Sequence, residues 1–275
     1  MKVFYSEKMV APQDGYSPSA AKPAKVMANW RASQLPLEVE EPEPVSRGTF
    51  ALAHDEEFVN AVLDLQRENG FGSRSAETAA ALPYTTGAML AAARHAIRCR
   101  TMVAAPCSGF HHAGYRHASG FCTFNGLVVT AFALRNEKLV DRVGILDCDV
   151  HFGDGTEDIL DRLDARDWIQ HITSGHGYPM TAGPFLEALP GLVRGFAGCD
   201  VLLYQAGADA HINDPLGGFL TTDQLRERDH IVFTTAVEMG LPVAWNLAGG
   251  YQKPIERVLE IHLNTARCCV DALAS

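Results

Sequence analysis

One stretch of this chain, residues 143–156, limits its fold and chemistry more than any other. It opens with the apolar run Val143–Leu146, which is typical of a strand buried in a parallel sheet. Asp147, Asp149 and His151 follow in alternation, and a period of two places their side chains on one face of an extended chain. A Gly-Asp-Gly turn comes next. Open α/β sheets bind ligands beyond the carboxyl ends of their strands, so this strand end is a candidate ligand site.

Asp149 and His151 form an acid–imidazole pair that can supply two ligands to a divalent metal. Taken alone, the pair is better explained by an aspartate that caps the turn and a histidine satisfied by hydrogen bonds. Other motifs at predicted strand ends favour the metal site. They are Gly109–Ala113 followed by Ser119–Asn125, then Gln205–Asp209, and finally Asn246–Tyr251. Four such motifs in one order are much less expected by chance than any one of them.

Predicted strands and helices alternate along the chain. The strands are expected at 3–5, 102–105, 143–148, 169–173, 201–205 and 242–246. The helices are expected at 25–31, from 51 onward, and at 85–98, 127–134, 156–163, 221–239 and 254–273. The apolar stretch 186–196 is left unassigned because Pro190 and Gly191 interrupt it. The alternation predicts an α/β protein with one doubly wound, mostly parallel sheet flanked by helices, and a single domain over residues 1–275.

Composition narrows the classes of protein that fit. Hydrophobic residues make up 47% of the chain, enough for a large core, but no apolar run reaches the roughly 20 residues of a membrane span. The first residues lack the apolar segment of a secretory signal, so a cytoplasmic location is expected. Seven cysteines without a Cys-x-x-Cys argue against a disulfide framework and a thiolate zinc site.

The charge balance bears on partners. A formal net charge of -10 disfavours nucleic acid and is compatible with a cationic substrate, although ordinary solubility explains it as well. We therefore expect neither a nucleic-acid nor a membrane partner. The sequence leaves open whether the chain forms an oligomer.

The ordered motifs resemble those of the zinc-dependent histone deacetylase family, which includes acetylpolyamine amidohydrolases and has the arginase–deacetylase fold. The resemblance is strong from about residue 100 to residue 252. The matching motifs are His111-His112, Gly120-Phe121-Cys122, Asp147-x-Asp149-x-His151, Gly207-Ala208-Asp209 and Gly250-Tyr251. As an ordered set they are specific, because each motif stands where the family has it.

The resemblance implies a metal centre. Asp149, His151 and Asp209 would hold one zinc ion, with a coordination position left for water and substrate. The family also carries a monovalent cation, usually potassium, beneath the zinc. The positions that match this second site are Asp147, Asp149, His151, Ser174 and Gly175.

The resemblance also implies catalytic roles. His112 would be the general base, and His111 an electrostatic partner or acid. Asp147 would orient His111 and Asp154 would orient His112, because a carboxylate on the far ring nitrogen fixes the tautomer. Tyr251 would donate its hydroxyl to the substrate carbonyl.

Gly120, Phe121 and Tyr178 would line the family's narrow acyl-lysine tunnel, although both aromatic residues also fit a place in the core.

Several positions depart from the family pattern. The usual His-Pro-Glu-x-Pro-x-Arg loop is replaced by Ser17–Pro23, so Lys22 or Lys25 would have to substitute for the arginine of the internal channel. The aspartate that holds a substrate backbone at the rim is missing near 81–83, and Phe152 stands where many members have a second histidine. The family's long C-terminal segment is absent as well. These departures leave the chemistry intact and put recognition of a peptide backbone in doubt.

The sequence thus predicts a zinc-dependent amidohydrolase that removes an acyl group, with acetyl expected, from an amine nitrogen. The substrate is a small acylated amine such as an acetylpolyamine, or an acyl-lysine side chain, and the small molecule is favoured. Two alternatives stay open. One is a ureohydrolase-type enzyme on the same fold, which needs two metals and more carboxylates. The other is a non-catalytic member that binds acyl-amines.

Overall fold

A computed structural model describes residues 1–12, 15–173 and 177–274. Strands β1 to β7 span, in chain order, Lys2–Phe4, Glu38–Glu40, Met102–Ala104, Val143–Asp147, Ile169–Thr173, Val201–Gln205 and Val243–Asn246. They form one seven-stranded sheet in the order β2-β1-β3-β7-β6-β4-β5. Every neighbouring pair of strands runs parallel. The predicted parallel sheet flanked by helices is therefore confirmed.

Helices cover the sheet. Helices α1 to α9 span Lys22–Ala32, Arg47–Phe50, Glu56–Leu63, Ala76–Cys99, Gly126–Asn136, Asp154–Arg162, Ala182–Arg194, Thr222–Met239 and Glu256–Ala274. Helix α4 packs against α5, while α8 packs against both α7 and α9. Trp245 of β7 is fully buried and its ring contacts Trp30 of α1 and Phe233 of α8. In the part of the chain described here, no helix has the length and apolarity needed to cross a bilayer.

Two helices contain an internal proline and extend beyond what the sequence predicts, which is a helix at 85–98 and no assignment for 186–196. Helix α4 begins at Ala76, capped by the Ser75 hydroxyl, and Pro83 lies inside it. The unassigned stretch near Pro190 belongs to helix α7, whose Phe185, Leu189 and Val193 are buried four residues apart. Burial of this apolar face outweighs the helix-breaking tendency of proline, because most helical stability in proteins comes from tertiary packing.

The register of the sheet brings the functional loops to one edge. Asp147, the last residue of β4, lies beside Thr173 of β5 and Gln205 of β6. Gln205 lies beside Asn246 of β7 in turn. Four neighbouring strands therefore end at the same level, and the segments that follow them face a common space.

Candidate metal and catalytic site

Three side chains that can bind a metal meet beyond the ends of β4 and β6. Each of Asp149, His151 and Asp209 offers a ligand atom, and these atoms all lie within 4.8 Å of one another. His151 Nδ1 is 2.9 Å from Asp149 Oδ1 and 3.3 Å from Asp209 Oδ2. Both aspartates are buried and the histidine is partly exposed. The predicted ligands, which are far apart in sequence, therefore share one small space.

The donor set and its surroundings fit a divalent metal. The buried Asp209 Oδ2 accepts no hydrogen bond of normal geometry from any of the residues described, and buried polar atoms rarely stay unsatisfied. The other acid is supported from the backbone, since Gly249 N–H donates to Asp149 Oδ2 at 2.9 Å. A Cβ at residue 249 would come within 2.0 Å of Asp209 Oδ2, so this position needs glycine. Two carboxylates and one imidazole with an open side are typical ligands of a zinc centre.

Protons and a metal compete for these atoms. Burial and the neighbouring Asp149 raise the pKa of Asp209 to about 7. Burial opposes ionisation of Asp149, but the charge of His111 and the hydrogen bond from His151 lower its pKa. The hydrogen bond to Asp149 and the nearby carboxylate of Asp209 raise the pKa of His151 to about 10. Since a metal binds the deprotonated ligands, binding here must displace protons and depend on pH.

The adjacent histidines form two histidine–aspartate pairs next to the metal-ligand cluster. His111 Nδ1 lies 2.6 Å from Asp147 Oδ2, and His112 Nδ1 lies 2.6 Å from Asp154 Oδ1. The two imidazole centroids are 4.1 Å apart. In each ring the carboxylate engages Nδ1, so Nε2 is left for the chemistry. The structure thus brings together the four side chains in the pairs that the resemblance implied.

The two pairs differ in charge. Burial opposes protonation of His111, but Asp147, Asp149 and Asp209 together raise its pKa to about 9. Burial and the neighbouring His111 charge lower the pKa of His112, despite the hydrogen bond to Asp154. In the metal-free protein at neutral pH, His111 is therefore a cation and His112 is neutral.

Gln205 is a site residue that the sequence prediction did not assign. Its Nε2 donates to Asp147 Oδ1 at 2.8 Å, and its Oε1 accepts from the backbone N–H of Phe110 at 3.1 Å. It is fully buried at the end of β6. The amide thus links the loop of the histidine pair to the carboxylate that holds His111. A polar residue ending an otherwise apolar buried strand was the available signal.

A pocket of about 510 Å³ of empty space opens above these groups, and Phe121, Leu216 and Tyr251 contribute to its lining. The rings of Phe121 and Tyr251 are 5.7 Å apart. Gly120 has φ +53°, and a Cβ there would lie 2.4 Å from His112 Cδ2. Burial and the carboxylates of Asp209 and Asp149 raise the pKa of Tyr251, so its phenol stays protonated. Gly120, Phe121 and Tyr251 thus lie at the pocket as expected.

Tyr178 is placed differently from the prediction that it forms a tunnel wall. Its hydroxyl donates to the carbonyl of Asp147 at 2.7 Å, and its ring packs against Phe185 of α7. The side chain is buried in the core beneath the metal loop. Tyr178 is not among the residues that line the pocket, so its contacts favour the alternative expectation of a place in the core.

The expected monovalent-cation site is only partly visible. Ser174 and Gly175 lie outside the described residues. The backbone carbonyl of Asp147 accepts a hydrogen bond from the Tyr178 hydroxyl. Asp147 Oδ1 accepts from Gln205 Nε2 and from the backbone N–H of Asp149. Asp147 Oδ2 engages His111 Nδ1. Because Ser174 and Gly175 lie outside the described residues, the potassium site stays a prediction.

The segment where the resemblance places a rim aspartate is helical, since residues 81–83 lie within α4. The loop before that helix contacts a pocket residue: Phe121 N–H donates to Gly70 O at 2.9 Å, and the Phe71 ring lies 5.9 Å from the Phe121 ring. Residues 66–75 of this loop contain no aspartate, and their one carboxylate belongs to Glu68.

A buried lysine supports the loop that carries Tyr251. Lys22 Nζ donates to the carbonyls of Ala248 at 2.5 Å and Gly249 at 3.2 Å, and the residue is fully buried. Burial lowers its pKa to about 8, against the attraction of Asp209 and Asp149. Lys25 is exposed. Of the two lysines considered from sequence, Lys22 is therefore the one at the site.

Fold and site together define an α/β protein with a candidate metal centre and two histidine–aspartate pairs at the carboxyl edge of a parallel sheet. A family model described as "Histone deacetylase domain" matches residues 18–185, which is more than half of the chain. The chain belongs to this family of hydrolytic deacetylases.

Similar proteins span most of the chain. An uncharacterised protein of Picosynechococcus is 28% identical over 82% of this chain and 83% of its own length. The acetylpolyamine amidohydrolase of Mycoplana ramosa is 29% identical over 74% of this chain and 67% of its own. The crystal structure of the HDA15 HD domain matches with a TM-score of 0.80 at 20% identity, covering 100% of this chain and 91% of that one. The structural likeness concerns the fold.

Proposed function

We propose that this protein is a zinc-dependent amidohydrolase that removes an acyl group, with acetyl expected, from the nitrogen of an amine. The proposal rests on one observation above all. The Asp149–His151–Asp209 cluster and both histidine–aspartate pairs adjoin the same pocket. Residues 1–275 would act as one catalytic domain.

Zinc held by the three ligands would supply a Lewis acid that lowers the pKa of its water to about 7 and polarises the amide carbonyl. His112 is suited to be the general base, because its lowered pKa keeps it neutral and Asp154 holds its Nδ1. His111 is suited to stabilise negative charge and to protonate the leaving amine, because the buried Asp147 carboxylate engages its Nδ1 and favours the protonated ring.

Tyr251 is suited to bind the developing oxyanion. Its phenol is kept protonated and lines the pocket, and a preorganised donor of this kind stabilises charge that appears only in the transition state. Its backbone is fixed as well, since Tyr251 N–H donates to the buried Asp214 Oδ2 at 2.7 Å. The position of the phenol is therefore set before substrate binds.

For the substrate we favour a small acylated amine over a peptide. The pocket wall is apolar at Phe121 and Leu216, and neither residues 81–83 nor the loop 66–75 has the aspartate that holds a substrate backbone in the family pattern. The similarity to an acetylpolyamine amidohydrolase supports the same class of substrate. An acyl-lysine side chain remains the second choice.

A candidate site with three ligands favours a deacylase over a ureohydrolase. Across the described ranges a single group of three closely spaced metal-capable side chains is found, whereas a two-metal site needs more carboxylates. Metal analysis should give one zinc per chain. Two metals per chain would favour the ureohydrolase alternative.

The direct test is acetate release by zinc-loaded protein from a panel of N-acetylated monoamines, N-acetylated polyamines and acetyl-lysine peptides. Tyr251→Phe should lower turnover about 10²–10³-fold, the usual cost of an oxyanion donor, while zinc content stays at the wild-type level. No acetate from any substrate class, with zinc bound, would contradict the proposal and favour a non-catalytic binding protein.

A further inference from the structure

Arg228 lies fully buried on helix α8, behind the loops that carry the metal ligands. Its Nη1 donates to the carbonyl oxygens of Cys148 at 3.2 Å and Gly207 at 2.7 Å. Cys148 directly precedes Asp149, and Gly207 stands two residues before Asp209. One guanidinium nitrogen therefore connects the two loops, after β4 and β6, that supply both carboxylates of the candidate metal site.

The charge of Arg228 is balanced on the side away from the metal. Arg228 Nε donates to Asp229 Oδ1 at 2.9 Å, and the Tyr204 hydroxyl donates to the same oxygen. Thr265 Oγ1 of α9 donates to Asp229 Oδ2 at 2.5 Å. The fork of the guanidinium explains why arginine suits this position, since separate nitrogens reach the acid and the two carbonyls in fixed directions.

Stability alone explains this buried pair poorly. Replacing a buried ion pair by apolar residues of similar volume is often neutral or stabilising, because burying two charges is costly. A role in positioning explains the pair better. Asp149 and Asp209 follow separate strands, and their ligand atoms lie within 4.8 Å of each other, so their loops need a link that resists separation.

We propose that Arg228 is a positioning residue for the metal centre, and that it sets the spacing of the Asp149 and Asp209 loops through their backbone carbonyls. The inference depends on the zinc site of the proposed function. Residues that orient metal ligands typically change metal affinity about 10–100-fold when they are mutated, and we expect an effect of that size here.

The test measures zinc affinity by competition with a chelator, and the visible absorption spectrum of the Co²⁺-substituted protein. Arg228→Met should weaken zinc binding about 10–100-fold and alter the Co²⁺ bands. Because Arg228→Met leaves Asp229 buried without its partner, the double variant Arg228→Met/Asp229→Asn serves as the second test. It removes both charges and should show the same loss of affinity.

Tyr204→Phe is the matched control. It removes a hydrogen bond to Asp229 but leaves the contacts of Arg228 with both carbonyls. It should lower the midpoint of thermal unfolding while zinc affinity and the Co²⁺ spectrum stay at wild-type values. Equal losses of affinity in Tyr204→Phe and the double variant would overturn the inference, because the effect would then be general destabilisation.

Two further outcomes separate this inference from the proposed function. Wild-type protein that binds zinc, with unchanged affinity in the folded Arg228 variants, would overturn the role of Arg228 alone. Wild-type protein that binds no zinc would overturn both. The zinc-dependent rise in unfolding temperature gives a second measure of affinity in each variant.

Discussion

The two histidine–aspartate pairs have the same chemistry and different surroundings. Each joins an imidazole Nδ1 to a carboxylate oxygen at 2.6 Å. Asp147 is fully buried and receives further hydrogen bonds, whereas Asp154 is exposed at the start of α6. In the buried pair, the carboxylates of Asp149 and Asp209 lie near His111 and favour its protonation. In the exposed pair, His112 lies beside the resulting charge of His111, which disfavours its protonation. Environment, and not residue type, thus shifts the pKa values of the two imidazoles in opposite directions.

Replacing the neutral histidine should have the largest effect. His112→Ala removes the proposed general base, so kcat/KM with an acetylated amine should fall about 10²–10⁴-fold. Zinc content should stay at one ion per chain, because His112 is not among the three ligands. If His112→Ala keeps wild-type kcat/KM, the assignment of the base is wrong, and the two pairs do not differ in the way described.

Removing the buried carboxylate should come next. Asp147→Asn leaves His111 without its strongest charge partner and disturbs the contact with Gln205. We expect kcat/KM to fall by about 100-fold, near the upper end of the loss seen when a residue that orients a metal site is mutated. The unfolding midpoint in urea should fall as well, because breaking a buried pair costs about 3–5 kcal/mol. An unchanged unfolding midpoint would mean that burial does not make the His111–Asp147 pair more important for stability than the His112–Asp154 pair.

The exposed carboxylate should matter less. Asp154→Asn removes a partner that solvent partly replaces, so activity should fall only about 10-fold, at the lower end for residues that orient a catalytic group. Its effect on urea unfolding should be small. A loss equal to that of Asp147→Asn would remove the difference between the two pairs.

The finest test titrates the imidazoles of the metal-free protein by NMR. The pKa of His112 should lie below the ordinary value of about 6.5, and the pKa of His111 should lie at about 9. Because the pKa of His111 is raised on folding, its contribution to stability is present below about pH 6.5 and is lost as pH rises through about 9. Two coincident titrations would contradict the comparison.

Local sequence patterns predicted much of the fold and most of the side chains of the candidate site. The apolar run before Asp147 and the alternation through His151 were enough to expect a buried parallel strand ending in ligands. The same patterns were weaker for helices. The sequence pattern does not predict helix α7 because Pro190 lies in it, and the buried face that stabilises this helix depends on the neighbouring α8.

Long-range contacts were beyond such patterns. Lys22 reaches the carbonyls of Ala248 and Gly249 across more than two hundred residues of chain, and no spacing in the sequence signals that approach. Tyr178 was expected in the pocket and packs instead against Phe185. Each case depends on how separate elements pack, which residue type alone does not specify.

By itself, the sequence determined which groups this protein has for its chemistry: the strand-end acids, the paired histidines and the tyrosine after two glycines. Local periodicity and residue chemistry are written into neighbouring positions, so they can be read without coordinates. Only the tertiary structure decided which imidazole is charged, which lysine is buried and that Arg228 joins the loops of Asp149 and Asp209. Those properties arise from burial and from distances between remote segments, and both exist only once the sheet has assembled.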